Sequence, residues 1–167
     1  MWEVAPHETV SPLTQFGEPA EVRLDDQLCF ALYAATNGVT RAYRPLLAEI
    51  GLTYPQYLVM LALWTNGPCT VGVIAASLQL DSHAVSPLVG RLVDAGLVTR
   101  ERGADRRQVV VSLTQRGSAL ELEAAEVQRQ VRCTIGMDSL EMGRLREELL
   151  ALAARMDGAE EPAGSGS

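Results

Sequence analysis

The stretch from Asp81 to Leu113 limits the fold of this chain more than any other part of its sequence. It opens with LDSHAVSPLVGRLVDAGLV, in which apolar residues recur at helical spacing behind a capping Asp81 or Ser82. It continues with TRERGADRRQVVVSLT, which predicts two strands, at residues 97–102 and 108–113, around a turn at residues 103–106. A helix followed by a basic β-hairpin is typical of the DNA-reading end of a winged helix-turn-helix.

Helical spacing also dominates the N-terminal side of this stretch. Apolar residues recur every three or four positions from about residue 25, and Pro45 predicts a kink or a restart because it has no amide hydrogen. Thr53 and Gln56 match a capping box, so a second helix is expected to begin at Thr53 and to stop at residues 66–68. Thr70 caps a short helix, which forms a helix-turn-helix unit with the helix after Asp81.

On the C-terminal side, Thr114 opens a long last helix that is predicted to reach about residue 155, with a break near Gly136 and Gly143. The predicted fold class is mainly α with a small β-hairpin: a winged helix-turn-helix flanked by N- and C-terminal dimerisation helices. We expect this domain at residues 23–156, with its reading head at about residues 53–114. A flexible arm at residues 1–22 and a disordered tail at residues 157–167 are expected outside it.

The first and last helices each carry an apolar stripe that must be buried somewhere. Packing both stripes against a second copy of the chain buries them, and twofold symmetry suits a palindromic operator. The alternative is that both helices fold back on their own domain. We expect a homodimer on double-stranded operator DNA.

The charge balance excludes a general polycation. All 14 basic residues are arginines, and against 21 acidic residues they leave a net charge of -7. Any contact with DNA must therefore use a local basic patch on an acidic protein.

The sequence contains no apolar run of 18 residues and no signal-peptide pattern, so we expect a cytoplasmic protein without a membrane span. Its cysteines, Cys29, Cys69 and Cys133, are too few and too far apart for a disulfide framework or a zinc site. Free thiols are expected in a reducing compartment. No cofactor, metal or enzymatic activity is predicted.

Short polar side chains at the start of the predicted recognition helix are candidate DNA contacts. Ser82, His83 and Ser86 suit bases or phosphates, and Arg91, further along, suits phosphate. Asp81 caps the helix and can also accept a hydrogen bond from a cytosine amino group. Any one serine, taken alone, is better explained by capping and solvent exposure.

The predicted hairpin, or wing, adds Arg100, Arg102, Arg106 and Arg107. An arginine at a hairpin tip can enter a narrow minor groove, where the negative potential is strongest. Asp105 can instead hold Arg107 in an ion pair, so that one of the two tip arginines reaches DNA while the other braces the turn. The sequence leaves open which one does so. A solvated charged hairpin is the competing interpretation until the preceding helix pair is considered.

Several of these segments together resemble MarR-type transcriptional regulators. They are the LDSHAVSPLVGRL helix, the GLVTRERGADRRQVVVSLT wing and the flanking helices, from about Leu24 to Met156. The specific part is the Asp-x-Arg of the wing, followed by a valine run and SLT.

A sharper resemblance lies in LCFALY, AYRPLL and LTYPQYLVMLALW, which are similar to the organic hydroperoxide sensors of that family, the OhrR type. In those sensors a reactive cysteine in the first helix senses peroxide and two tyrosines hold it. The resemblance implies these roles for Cys29, Tyr33 and Tyr43. Some members add a resolving cysteine in the C-terminal region, which corresponds to Cys133.

The chemistry at Cys29 follows from its place near the start of a helix, where unpaired amides favour a thiolate while Asp25 and Asp26 oppose it. Tyr43 lies about 21 Å further along the helix axis, so a sharp bend or a second subunit must bring it to Cys29. The competing interpretations are a small apolar core residue for Cys29 and core packing for the tyrosines. We expect Cys69 to be structural.

The sequence therefore predicts a dimeric repressor that releases DNA when an organic hydroperoxide oxidises Cys29 to a sulfenic acid. Cys133 of the facing subunit would then form a disulfide, which requires Cα atoms within about 7 Å. Apolar residues that either favour organic peroxides or belong to the core are Phe30, Leu32, Tyr54, Tyr57 and Trp64.

The main alternative is a MarR-type repressor relieved by a small phenolic or apolar ligand without cysteine chemistry. A thiol peroxidase is a third hypothesis, but the chain has no paired-cysteine redox motif.

Overall fold

The structure is a computed structural model that describes residues 23–103 and 108–159. Within these residues, a short 3-10 helix at Leu24–Asp26 precedes six α-helices and three strands. The helices are α1 (Leu28–Glu49), α2 (Tyr54–Asn66), α3 (Val71–Leu78), α4 (Ser82–Asp94), α5 (Gln115–Ile135) and α6 (Ser139–Ala159). The strands are β1 (Cys69–Thr70), β2 (Val98–Arg102) and β3 (Val109–Leu113). The predicted fold class, mainly α with a small β-hairpin in a winged helix-turn-helix, is confirmed.

The chain divides into two compact units at Asn37 and Gly38. In the first, the described residues are the 3-10 helix and the N-terminal part of α1, and none of them is buried. Its large apolar side chains Leu24, Leu28 and Tyr33 are 61%, 61% and 66% exposed. An apolar surface of this kind on a terminal helix is what a subunit interface requires.

The second unit contains the core, which is organised around α2. The sequence of α2 is apolar on nearly all sides, as a central helix must be. It accordingly contacts α3, α4, α5 and β3. The largest fully buried side chains include Tyr57, Met60 and Leu63 of α2, with Ile74 of α3 and Leu92 of α4.

The turn between α3 and α4 sets the angle of the helix-turn-helix unit. Gln79 adopts a left-handed conformation with φ 53°, and the next amide, of Leu80, donates to the Ala75 carbonyl at 2.9 Å. The chain then enters α4 through Asp81, whose carbonyl accepts from the amides of Ala84 and Val85. Thr70 caps α3 as predicted, with its hydroxyl accepting from the Val73 amide at 3.3 Å.

The sheet is antiparallel, with strand order β1-β3-β2. β2 and β3 form the predicted wing hairpin, in which Val98 faces Leu113 and Arg102 faces Val109. β1 was not predicted, since we expected Thr70 only to cap a short helix. A two-residue strand has no alternating pattern, and its pairing with Val110 and Val111 is long-range, so the local sequence does not reveal it.

Three features of the long helices differ from expectation. A kink or a restart was predicted at Pro45; α1 continues through it to Glu49, so a restart is excluded and the kink stays a prediction. The break at Gly136 is confirmed, because Gly136 ends α5 with φ 70°, but Gly143 lies inside α6 and does not interrupt it. α6 continues to Ala159, so the first three residues of the expected tail are helical. Residues 1–22 and 160–167, which hold the expected arm and the rest of the tail, lie outside the described residues.

α6 also presents exposed apolar side chains within the described part of the chain. Leu140, Leu149, Leu150 and Met156 are between 41% and 69% exposed. Among the described residues, no single helix is long and apolar enough to cross a membrane, and only α1 and α2 taken together as a bent pair reach that length and apolarity.

Candidate DNA-binding interface and cysteine site

The amphipathic pattern of α4 divides it into a core face and a solvent face. Val85, Val89 and Leu92 are fully buried. Ser82, His83, Ser86 and Arg91, the predicted DNA contacts on this helix, are all exposed. Polar side chains on the first turns and an arginine further along therefore form one outward surface, which is available to a DNA groove.

Asp81 occupies the N-cap position of α4, as predicted, with extended backbone angles. Its carboxylate makes no capping hydrogen bond, however, so the cap consists of the backbone carbonyl alone. The exposed Asp81 side chain is thereby available for the other predicted role, as an acceptor from a base.

The wing has its two described arginines on the same face of β2, since Arg100 and Arg102 are two residues apart in a strand. Both are exposed. Arg100 donates from Nη2 to the backbone carbonyl of Ser86 in α4 at 2.6 Å, a contact that sequence reasoning missed because it depends on how β2 lies beside the helix. The tip residues Arg106 and Arg107 lie outside the described residues, so their roles stay a prediction.

The connection between α4 and β2 is fixed by the start of α5. The Thr114 hydroxyl donates to the carbonyls of Gly96 and Leu97, at 2.8 and 3.1 Å. Arg116 Nη1 donates to the carbonyl of Ala95 at 3.0 Å. These bonds satisfy carbonyls at the end of α4 that have no partner within the helix. The recognition helix and the wing are therefore anchored together on α5.

Cys29 is the second residue of α1, which confirms the prediction that it lies near a helix start. Its side chain is exposed, so the interpretation as a small apolar core residue does not hold within this chain. Tyr33, one turn further along α1, is 66% exposed. An exposed thiol at a helix N-terminus is accessible to a peroxide.

Tyr43 belongs to an aromatic cluster in the second unit. Its ring centroid lies 5.4 Å from those of Tyr54 and Tyr57, and Tyr57 also contacts Trp64 at 6.5 Å. Burial raises the pKa of Tyr43, and its side-chain hydrogen bond with Tyr57 partly opposes this. Tyr57, at 2% exposure, is a core residue rather than part of a peroxide-facing wall.

Cys133 lies near the end of α5 and is exposed. It lines a surface cavity of about 630 Å³ together with Arg129 and Arg132. The Arg129 guanidinium binds Glu126 through two bonds of 2.8 and 2.6 Å. The pKa of Arg129 is raised, first by its side-chain hydrogen bond with Glu126. Arg129, which shares this cavity with Cys133, is therefore paired with a carboxylate.

Cys69, in β1, is half-buried, and burial raises the pKa of its thiol, in agreement with a structural role. Across residues 23–103 and 108–159, no cluster of three or more His, Cys, Asp or Glu side chains is placed to hold a metal ion. The structure assigns Cys29 and Cys133 to different units, and their approach across a dimer stays a prediction.

Comparison with known proteins identifies relatives with similar sequences. The sequence description of the MarR family matches residues 50–108. The organic hydroperoxide resistance transcriptional regulator of Bacillus subtilis (strain 168) is 41% identical over 107 residues, which are 64% of this chain and 73% of that protein. The HTH-type transcriptional regulator TtmR of Methylorubrum extorquens (strain PA1) is 40% identical over 168 residues, with 98% of this chain and 85% of that protein covered.

Among solved structures, the chain is similar to AbfR, a protein of Staphylococcus epidermidis. Reduced AbfR bound to DNA has a TM-score of 0.67 at 33% identity, covering 80% of this chain and 94% of that one. The disulfide-formed state of AbfR has a TM-score of 0.57 at 31% identity, covering 84% and 94%.

Proposed function

We propose that this chain, which belongs to the MarR family of DNA-binding transcriptional regulators, is a homodimeric repressor that releases its operator when an organic hydroperoxide oxidises Cys29. The observation that carries the proposal is the exposed Cys29 at the start of α1, in a chain that is 41% identical over 107 residues to an organic hydroperoxide resistance regulator. The proposal places the protein in the cytoplasm, with its operator and a reducing thiol pool.

In the DNA-bound state, the exposed face of α4 lies in a major groove. Ser82, His83 and Ser86 contact bases or phosphates, Arg91 contacts phosphate, and Asp81 accepts from a cytosine amino group. The wing follows the phosphate backbone through Arg102 and inserts one of its tip arginines, Arg106 or Arg107, into the adjacent minor groove. Two such heads, related by twofold symmetry, read the two halves of a palindromic site.

The switch begins with the thiolate of Cys29. It attacks the terminal oxygen of the hydroperoxide, the O–O bond breaks, and the products are a cysteine sulfenic acid and the corresponding alcohol. The thiol of Cys133 from the facing subunit then condenses with the sulfenic acid, forming a disulfide and releasing water. Two findings support this sequence: the exposure of both cysteines, and the existence of a reduced, DNA-bound state and a disulfide-formed state of the similar protein AbfR.

Tyr33 and Tyr43 hold Cys29 in the reduced dimer. Tyr43 suits this role because burial raises the pKa of its hydroxyl, which therefore keeps its proton. A phenol that donates to a thiolate stabilises its charged form. Oxidation removes that acceptor, so the helices that carry Cys29 and Tyr43 lose a contact between subunits and the two heads change their spacing.

The test is binding of the purified protein to the DNA upstream of its own gene, before and after stoichiometric cumene hydroperoxide and again after dithiothreitol. We expect binding to be lost on oxidation and restored by the reductant. Cys29→Ser is expected to bind DNA and to stay bound in peroxide. Cys69→Ser is the matched control and is expected to respond as the wild type does.

A non-reducing gel separates the two cysteine roles. The oxidised wild type is expected to run as a covalent dimer, and Cys133→Ser as a monomer. If Cys29→Ser still released DNA in peroxide, the cysteine switch would be wrong, and a repressor relieved by a small apolar ligand would replace it.

A further inference from the structure

The bond between Arg100 and Ser86 joins the two parts of the chain that read DNA. Arg100 lies on β2 opposite Val111 of β3, and its Nη2 donates to the Ser86 carbonyl in the middle of α4 at 2.6 Å. Ser86 is exposed, on the face of α4 that carries the candidate DNA contacts. A single side chain therefore links the wing to the recognition helix.

The need for such a link follows from the shape of the wing. Val98 is buried at the base of β2, whereas positions 99–102 are all exposed. On β3, Val111 is buried opposite Arg100 and pairs with Cys69 of β1, so the hairpin is packed up to this point. Further out, Arg102 and Val109 are both exposed and are held by the pairing of β2 with β3. A two-stranded ribbon without a packed face is not rigid by itself.

The Ser86 carbonyl can accept the bond from Arg100 in addition to its bond within α4. A carbonyl oxygen has two lone pairs, of which a helix uses one, and the other can accept from outside the helix. The charged guanidinium makes this bond stronger than one between neutral groups. Its planar fork leaves further donors of Arg100 unused by Ser86, so the bond does not by itself exclude a contact with phosphate.

We propose that Arg100 is a positioning residue for DNA binding, which holds the wing at a fixed distance from α4 so that both enter their grooves together. The proposal rests on the DNA-binding part of the proposed function and is independent of the cysteine switch. It differs from the role assigned to Arg102, which extends from the same face of β2 and contacts phosphate.

The salt dependence of binding distinguishes these two roles. Each phosphate contact adds about 0.9 to the slope of log K against log salt concentration. Arg100→Met is expected to weaken binding to the upstream duplex about tenfold with the slope unchanged. The substitution removes the contact that positions the wing and removes no contact with phosphate. Binding to an unrelated duplex of equal length is expected to change little, because non-specific binding does not require both parts to fit their grooves. Arg102→Met, the matched comparison, is expected to lower the slope by about 0.9 and to weaken binding to both duplexes.

A second measurement does not require DNA. Hydrogen exchange of the wing amides, at residues 99–103 and 108–110, reports how often the hairpin opens. Arg100→Met is expected to accelerate this exchange several-fold, whereas Arg102→Met is expected to leave it at the wild-type rate.

Two results would overturn the proposal. One is wing exchange in Arg100→Met at the wild-type rate. The other is a slope reduced by about 0.9 with equal losses on both duplexes, which would make Arg100 a phosphate contact. If the wild type itself failed to bind the upstream duplex, the proposed operator would be wrong, and the exchange experiment would still decide the role of Arg100.

Discussion

Replacing Gly117 with alanine is expected to destabilise the protein, although alanine is the better helix former. Gly117 is the third residue of α5 and is buried. A Cβ atom built there would lie 2.0 Å from the Leu97 carbonyl oxygen and 3.0 Å from its carbon. The obstacle is backbone, so a change of side-chain rotamer cannot relieve it.

The magnitude follows from the bonds that would have to move. The Leu97 oxygen accepts from the amide and the hydroxyl of Thr114, at 3.0 and 3.1 Å, and the Gly117 carbonyl accepts from Trp64 Nε1 at 3.0 Å. Weakening these three bonds costs about 1 kcal/mol each, and overpacking adds about 1–3 kcal/mol. Alanine regains at most about 1 kcal/mol of helix propensity. The expected net loss is about 3–5 kcal/mol, a fall in Tm of roughly 10–15 °C.

Thermal unfolding, followed by circular dichroism at one fixed protein concentration, measures this loss, because the Tm of a dimer depends on concentration. Gly143→Ala is the matched control, since a Cβ at this helical position in α6 meets nothing within 4 Å. It is expected to stabilise the protein by about 1 kcal/mol. A Gly117→Ala protein as stable as the wild type would refute the argument that the close approach of α5 to Leu97 fixes the reading head.

Two predictions concern pH. Burial, then the neighbouring tyrosines, raise the pKa of Tyr57 well above its ordinary value. The unfolded chain loses this proton near pH 10 while the folded chain keeps it, so the free energy of unfolding should fall above about pH 10. This fall should be less steep in Tyr57→Phe, and urea titrations at pH 9 to 11 measure it in both proteins. Hydrogen bonds from Arg129, then Gln130, lower the pKa of Glu126 to about 2, although Glu126 is exposed. Its small, salt-screened contribution to stability should therefore be present above about pH 4.3 and be lost as the pH falls towards 2. Carbon-detected NMR should find the Glu126 midpoint near the lowered value, and an Arg129→Gln protein with an unchanged midpoint would contradict this cause.

Much of the fold was predictable because each helix carries its own boundary signals. Gln56 Oε1 accepts from the Thr53 amide at 2.8 Å, and the Thr114 hydroxyl accepts from the Gly117 amide at 3.0 Å. Both bonds are local, so the residue types that form them stand close together in the sequence. The continuity of α1 through Pro45 was not predictable in this way, because tertiary packing can stabilise a helix that a local rule would interrupt.

The outward face of α4 was predictable for a similar reason. Val85, Val89 and Leu92 fix which side of α4 meets the core, and the exposure of Ser82 and Ser86 follows from their spacing alone. The bond from Arg100 to Ser86 was not predictable, because it depends on the position of β2 beside α4. Periodicity says which face of an element is polar, but it does not say what that face touches.

The cysteine site illustrates this limit most clearly. The sequence predicted Cys29 near a helix start and Tyr43 further along the same helix, and both placements hold in the single chain. Among the described residues, Cys29 and Tyr33 are exposed, Tyr43 packs against Tyr54 and Tyr57, and several leucines of α6 are exposed. Burial of each such leucine in a second copy would stabilise the pair by about 1.5–3 kcal/mol before association entropy is deducted. A sensor completed only by dimerisation would couple the state of the thiol to the spacing of the two DNA-reading heads.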